Sequence, residues 1–176
     1  MVVVPLLAWF SAGWMLGWAS APYSVAWARQ FPRRAALMAL AGPAANLLLV
    51  LGAALLIRVG VEWNVFTAPA SSGSAKHLTD AVNAGPWDTA AMILSITFSL
   101  NLLLCIFNLL PLPPLDGSSV PLLLLPAGAA EKYNTAMRNP MLQIVGLIVA
   151  SRLLSRLFPD LLLHVTDVLL PFARHH

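Results

Sequence analysis

Long uncharged apolar runs, separated by short polar stretches, dominate the pattern of the chain. A helix of about twenty apolar residues crosses the roughly 30 Å hydrocarbon core of a bilayer. On this basis we predict spanning helices at about residues 2–20, 35–57, 89–110 and 141–157. The pattern therefore predicts an all-α fold, a polytopic membrane helix bundle with about four transmembrane helices in a single membrane domain over residues 1–176.

Two further features interrupt this pattern. Residues 118–130 are apolar but contain Pro121 and Pro126, which favours a re-entrant or interfacial segment over a full crossing. A secretory signal peptide is the alternative for the first run, although no basic residue precedes it, which favours an uncleaved membrane helix.

The last part of the chain combines apolar and polar positions. Residues 161–172 are predicted to form an amphipathic tail in the membrane interface, because polar residues recur at three- to four-residue spacing. Those residues are Asp160, His164 and Asp167. In the preceding span, Arg152 and Arg156 share one helical face, where they either snorkel or face protein.

The composition supports a membrane protein and excludes several classes. Hydrophobic residues make up 59% of the chain and charged residues 10%, with a mean hydropathy of +0.80, whereas soluble domains have about 45–50% and about 25%. The net charge of +3 is scattered, so we expect no nucleic-acid partner. The single cysteine, Cys105, excludes intrachain disulfides and a cysteine-based zinc site. We expect membrane lipid around the protein, and the oligomeric state cannot be read.

Basic residues in the connections predict the orientation. The first and third connections contain five Lys or Arg residues, against two in the second. By the positive-inside rule, we expect the first and third connections on the cytoplasmic side. The second connection, rich in small residues and proline over residues 68–74, is predicted to be a flexible external loop. We expect an integral protein of the bacterial inner membrane.

Asp116 is the first candidate for chemistry, because it follows an uncharged run of 27 residues. A carboxylate at membrane depth usually faces a partner, a water-filled cavity or a metal. The prolines of the 111–114 segment end the preceding helix, and Gly117 allows a sharp turn after the acid. The alternative is an interfacial Asp-Gly turn, because both residues are common in turns.

The second candidate is the Gly42-Pro43-Ala44-Ala45-Asn46 segment, in an otherwise apolar span. Small residues allow close helix packing. Asn46 requires a hydrogen-bonding partner in a low-dielectric setting. An ordinary interhelical hydrogen bond would satisfy it equally well.

Together the two segments resemble the site-2 protease family of intramembrane zinc metallopeptidases. The resemblance rests on Ala-Gly-Pro-Ala-Ala-Asn-Leu and, some sixty residues later, Phe-Asn-Leu-Leu-Pro-Leu-Pro-Pro-Leu-Asp-Gly. It implies that Asp116 is a ligand of a catalytic zinc. It further implies that Asn46 and Asn108 lie beside the active site, where they bind substrate backbone or stabilise an oxyanion, and that the substrate is a transmembrane protein.

The chain departs from that family in one respect. The His-Glu-x-x-His helix, which supplies the other two zinc ligands and the general base, is absent from the sequence. One carboxylate cannot hold a hydrolytic zinc, which needs about three protein ligands. We therefore expect either a truncated protease, which the abrupt apolar start favours, or an inactive homologue. A non-catalytic membrane scaffold or transporter subunit is the alternative, although no internal repeat supports a transporter.

Overall fold

The computed structural model describes residues 24–69, 77–83 and 85–170, and these residues are mostly helical. The helices are α1 (Val25–Gln30), α2 (Pro32–Glu62), α3 (Pro86–Leu109), α4 (Ala127–Met137) and α5 (Pro140–Leu169), and a 3-10 helix covers Asp116–Leu123. Within this part of the chain, α2, α3 and α5 are long and apolar enough to cross a membrane. The predicted all-α membrane bundle is confirmed, but a fourth span is not shown.

Helix α1 belongs to a separate compact unit that ends at Gln30. Its first turn starts at Ser24, whose carbonyl accepts the Ala28 N–H at 3.1 Å. The Ser24 hydroxyl accepts the Trp27 N–H at 3.4 Å, as an N-terminal cap does. The predicted first span, residues 2–20, lies outside the described residues.

Helix α2 begins with Pro32, which the first helical turn tolerates because its missing N–H has no partner there anyway. One face of α2 is buried, with spacings of three, four or seven residues that keep side chains on one side of a helix. The buried residues of this face are Pro43, Val50, Ala53, Ile57 and Gly60. This face packs against α3.

The main core lies between α2, α3 and the C-terminal half of α5. Val50 and Ile57 of α2 pack with Phe98 of α3 and Leu162 of α5. The Arg58 guanidinium extends this contact, because its Nη1 donates a 3.0 Å hydrogen bond to the carbonyl of Leu169. That carbonyl belongs to the last turn of α5, where no intrahelical donor is available.

The connection between α2 and α3 contains a short antiparallel hairpin that the sequence pattern did not predict. Strands β1 (Phe66–Thr67) and β2 (Asp80–Ala81) pair Phe66 with Ala81 and Thr67 with Asp80. The hairpin is held to α3 because the Ser95 hydroxyl accepts the Leu78 N–H at 3.1 Å.

The C-terminal helix differs from its prediction. The predicted span at 141–157 and residues 161–169 of the predicted 161–172 tail form one continuous helix, α5, with Pro159 inside it, and residues 171–172 lie outside the described residues. Two contacts anchor it. Gly146 packs on the Pro113 carbonyl, where any Cβ atom would collide. The Leu169 carbonyl accepts the hydrogen bond from the Arg58 guanidinium. Tertiary contacts at both ends therefore keep the helix continuous through a residue that lacks one helical hydrogen bond.

Candidate active site

A series of tight turns leads from the end of α3 to Asp116. The Leu110 N–H bonds the Phe107 carbonyl at 3.2 Å, and the Leu112 N–H bonds the Leu110 carbonyl at 2.8 Å. The Leu115 N–H then bonds the Leu112 carbonyl at 2.9 Å. The chain therefore stops being α-helical where the prolines begin, and reverses so that the 3-10 helix lies against α2.

Gly117 makes this reversal possible. A Cβ atom at position 117 would overlap the backbone carbonyl of Leu109 and would lie 2.6 Å from the carbonyl oxygen of Leu110. Real side chains do not approach backbone atoms so closely. The sequence predicted a glycine that allows a sharp turn, and the structure adds that the glycine leaves room for the last carbonyls of α3.

The Asp116 carboxylate lies on the Gly42 backbone of α2. Its Oδ2 atom is 3.3 Å from the position that a Cβ atom of residue 42 would occupy. The side chain is half-buried, and burial raises the pKa of this carboxyl above its ordinary value. Asp116 makes no hydrogen bond or ion pair within the described residues. The structure thus joins the two sequence motifs at one point.

Asn46 lies one helical turn beyond Gly42, a separation of roughly 6 Å along the axis. It follows Pro43 by three residues and precedes Val50 by four, so it lies on the buried face of α2 and is half-buried. Its side-chain amide makes no hydrogen bond within the described residues. The interhelical hydrogen bond that would give Asn46 a purely structural role is therefore not formed in this part of the chain.

Asn108 is the second amide, and it lies in the last turn of α3, just before the proline segment. Asn108 is half-buried, and its side chain likewise makes no hydrogen bond to any described residue. Asn101, two turns earlier in the same helix, donates a 2.7 Å hydrogen bond to the Thr97 carbonyl. The Asn101 amide is thus hydrogen-bonded within its own helix, whereas the Asn46 and Asn108 amides make no hydrogen bond within the described residues.

Tyr133 of α4 supports the Asp116 turn, and the sequence did not single it out. Its hydroxyl donates a 2.7 Å hydrogen bond to the Ser118 carbonyl, two residues after Asp116. The Ser118 hydroxyl in turn donates to the Leu115 carbonyl at 2.7 Å. Burial raises the pKa of the Tyr133 phenol. Because both acceptors are backbone carbonyls, no side-chain pattern in the sequence could have identified this pair.

The described residues do not fit a complete zinc site. Asp116 is a single carboxylate, and no group of three His, Cys, Asp or Glu side chains that could hold a metal occurs in the described ranges. His77 lies in the α2–α3 connection, with its Nδ1 3.8 Å from the Asp80 carboxylate. His164 lies on α5, and its Nδ1 is 3.2 Å from the Asp160 carbonyl. His175 and His176 lie outside the described residues.

Comparison with known proteins gives a match to a family model. The model of Peptidase family M50 matches residues 18–151, which include both motifs, the proline segment and the Asp116 turn. No curated protein and no solved structure matches the chain.

Proposed function

The chain belongs to peptidase family M50, the site-2 protease family of membrane metallopeptidases, and we propose that it binds an extended stretch of a membrane-embedded polypeptide beside Asp116. In this proposal the chain provides the part of the protease site that carries the Leu-Asp-Gly motif. The observation that carries the proposal is the meeting of Asp116 with Gly42, one turn from Asn46.

Two amides that make no hydrogen bond within the described part of the chain, Asn46 and Asn108, support this binding role. A polypeptide that is locally unwound in the membrane exposes backbone N–H and C=O groups, and each of these is costly in a low-dielectric setting unless it is hydrogen-bonded. An asparagine side chain both donates and accepts hydrogen bonds. We propose Asn46 and Asn108 as the groups that bind such a backbone, or that stabilise an oxyanion on it.

Asp116 is proposed as the one zinc ligand that this chain contributes. The two histidines and the general base would then come from a His-Glu-x-x-His helix outside these 176 residues. By itself the chain is expected to bind its polypeptide without cleaving it, which is also what an inactive homologue would do. A non-catalytic scaffold remains the second candidate, because the described residues hold a single candidate ligand.

Family membership and the three apolar helices support an integral membrane protein that is surrounded by lipid and acts on protein. We further propose that the substrate is a transmembrane protein. We also propose that the membrane is the bacterial inner membrane, with the Asp116 turn toward its cytoplasmic half.

Binding to two model peptides tests the proposal. The chain, reconstituted in lipid vesicles, is titrated with a fluorescent membrane-spanning Leu-Ala peptide that has a central Gly-Pro pair, and with the same peptide without it. The interrupted peptide is expected to bind more tightly. Asn46→Leu and Asn108→Leu should remove that preference, whereas the matched control Asn101→Leu should retain it. Equal binding of the two peptides would contradict the proposal.

The metal part is tested separately. Chelator-washed chain should contain well below one zinc per polypeptide. If a reading frame with the His-Glu-x-x-His helix exists, its product should bind zinc, and Asp116→Asn should lower zinc content and abolish cleavage. Stoichiometric zinc in the isolated chain would show that ligands outside the described residues complete a site.

A further inference from the structure

A row of charged and polar side chains runs along the exposed side of α5. Arg152, Arg156, Asp160 and His164 follow one another at four-residue intervals, so they share one side of the helix. We call them the α5 polar stripe. All four are exposed, and none of their side chains forms an ion pair within the described residues. The imidazole of His164 contacts the backbone carbonyl of Asp160, within the same helix.

The two anchors of α5 place this stripe alongside the apolar bundle rather than beyond it. Gly146 packs on Pro113, just after the end of α3, and Leu169 is bonded to Arg58 near the end of α2. Arg152 lies six residues after the first anchor and seventeen before the second, or roughly 9 Å and 25 Å along the helix. Between Gly42 and Ile57, α2 has no charged residue.

Charges at such a depth are costly and do not face hydrocarbon, so something polar covers them. A second copy of this chain does not fit. Copies inserted in one membrane share their orientation, so α5 would pack parallel to its symmetry mate, and Arg152 would meet Arg152. Lipid phosphates lie at the membrane surface, whereas Arg152 lies within the length of the bundle.

An apolar groove runs beside the stripe. It has a volume of about 420 Å³ and is formed by Ile106 of α3, by Leu110 just after α3, and by Leu153, Leu157 and Leu161 of α5. The three leucines repeat at the same four-residue interval as the stripe. Asp160 and His164 line the groove as well. An apolar seam flanked by a row of charges is the surface that a partner helix with its own charged residue recognises.

We propose that the α5 polar stripe and its groove dock the membrane-spanning helix of another protein. The partner helix carries a carboxylate at the depth of Arg152 and Arg156, and a basic residue about one to two turns further toward the Leu169 end, opposite Asp160. Its apolar side chains fill the groove between α3 and α5. The inference goes beyond the proposed function, since it requires neither zinc nor cleavage.

Resonance energy transfer in vesicles tests the docking. The full chain, labelled with a donor, is mixed with Lys-flanked Leu-Ala membrane-spanning peptides that carry an acceptor and one central Glu or Gln. The Glu peptide should associate about fivefold more tightly than the Gln peptide, the scale of interhelical polar contacts in membranes. The double substitution Arg152→Gln and Arg156→Gln should remove that difference, and Arg152→Lys with Arg156→Lys should retain it.

Arg138→Gln is the matched control, because it removes the same charge from the exposed connection between α4 and α5. It should leave the preference for the Glu peptide unchanged. Circular dichroism of each variant checks that the helices are intact. Equal affinity for the two peptides would overturn the proposal. So would a preference that disappears equally in Arg138→Gln, or one that depends only on anionic lipid, because either would assign the arginines to the lipid surface.

Discussion

The Asp116 carboxylate rests on Gly42, with its Oδ2 atom 3.3 Å from the position of an added Cβ. The contact joins a residue of the second predicted span to one that follows the third. Because a separation of 3.3 Å is tight, a methyl group at position 42 would push the carboxylate aside by a few tenths of an ångström. The position of the carboxylate thus depends on the absence of a side chain at 42.

Gly42→Ala and Gly52→Ala form a matched pair on α2. No atom lies within 4 Å of a Cβ at position 52, so Gly52→Ala should stabilise the helix by about 0.5–1 kcal/mol through propensity alone. Gly42→Ala should stabilise the protein less than Gly52→Ala does, because the methyl group at position 42 displaces the Asp116 carboxylate. Chemical denaturation in micelles measures both. An equal gain at the two positions would contradict the tight contact.

Gly117→Ala should destabilise the protein by about 2–4 kcal/mol, because its Cβ would overlap backbone carbonyls that cannot rotate away. Gly128→Ala, in α4, is the control. Its Cβ has no neighbour within 4 Å, so a small gain in stability is expected. Thermal unfolding of both variants gives the comparison. A neutral Gly117→Ala would mean that the turn after Asp116 has another conformation.

The raised pKa of Asp116 predicts a dependence of stability on pH. The carboxyl is partly buried and makes no ion pair within the described residues, so folding favours its protonated form. Stability should therefore fall as pH rises from the ordinary carboxyl pKa of about 4 through the raised folded-state pKa. Asp116→Asn should remove this dependence and should be at least as stable as the unchanged chain at neutral pH.

Measuring the free energy of unfolding between pH 4 and 8, for the unchanged chain and for Asp116→Asn, tests the predicted pH dependence. A less stable Asp116→Asn at neutral pH would show that the ionised carboxylate has a favourable partner in the folded protein. Asp88→Asn provides a contrast. Asp88 is an exposed acid at the start of α3, and its carboxylate accepts the Gly85 N–H at 2.8 Å, so this substitution changes a carboxylate that has a hydrogen-bonding partner.

Tyr133→Phe should lower stability by about 1 kcal/mol, because it removes the hydrogen bond to Ser118 and leaves that carbonyl without this donor. Amide exchange in the 3-10 helix should rise. Thr135→Val is the control, since the Thr135 hydroxyl bonds only the Glu131 carbonyl of its own exposed helix. Identical exchange in the two variants would exclude a role for Tyr133 in holding the Asp116 turn.

Hydrophobic runs predicted α2 and α3 to within a few residues, because apolar length is what a bilayer selects. The pattern divided α5 incorrectly, since a proline and a row of charged residues look like a boundary when the anchors at Gly146 and Leu169 are unknown. It also missed the β1–β2 hairpin, whose strands have only two residues each.

The candidate site was predictable in part. Asp116 and Asn46 stood out because polar groups are costly in apolar runs. Their roles, and that of Asn108, stay predictions. Tyr133 and Gly146 were not predicted, because each contacts a backbone carbonyl distant in the sequence. Every residue has a backbone carbonyl, so the residue types do not indicate which carbonyl is contacted.

The two anchors of α5 also have a mechanical consequence. They are 23 residues apart, and between them Pro159 interrupts the ladder of helical hydrogen bonds. A helix that is held at both ends and lacks one backbone hydrogen bond bends most easily at that point, which in α5 is Pro159. At that point Phe158 and Leu162 pack against the main core, so this core contact supplies the stiffness that the missing hydrogen bond removes.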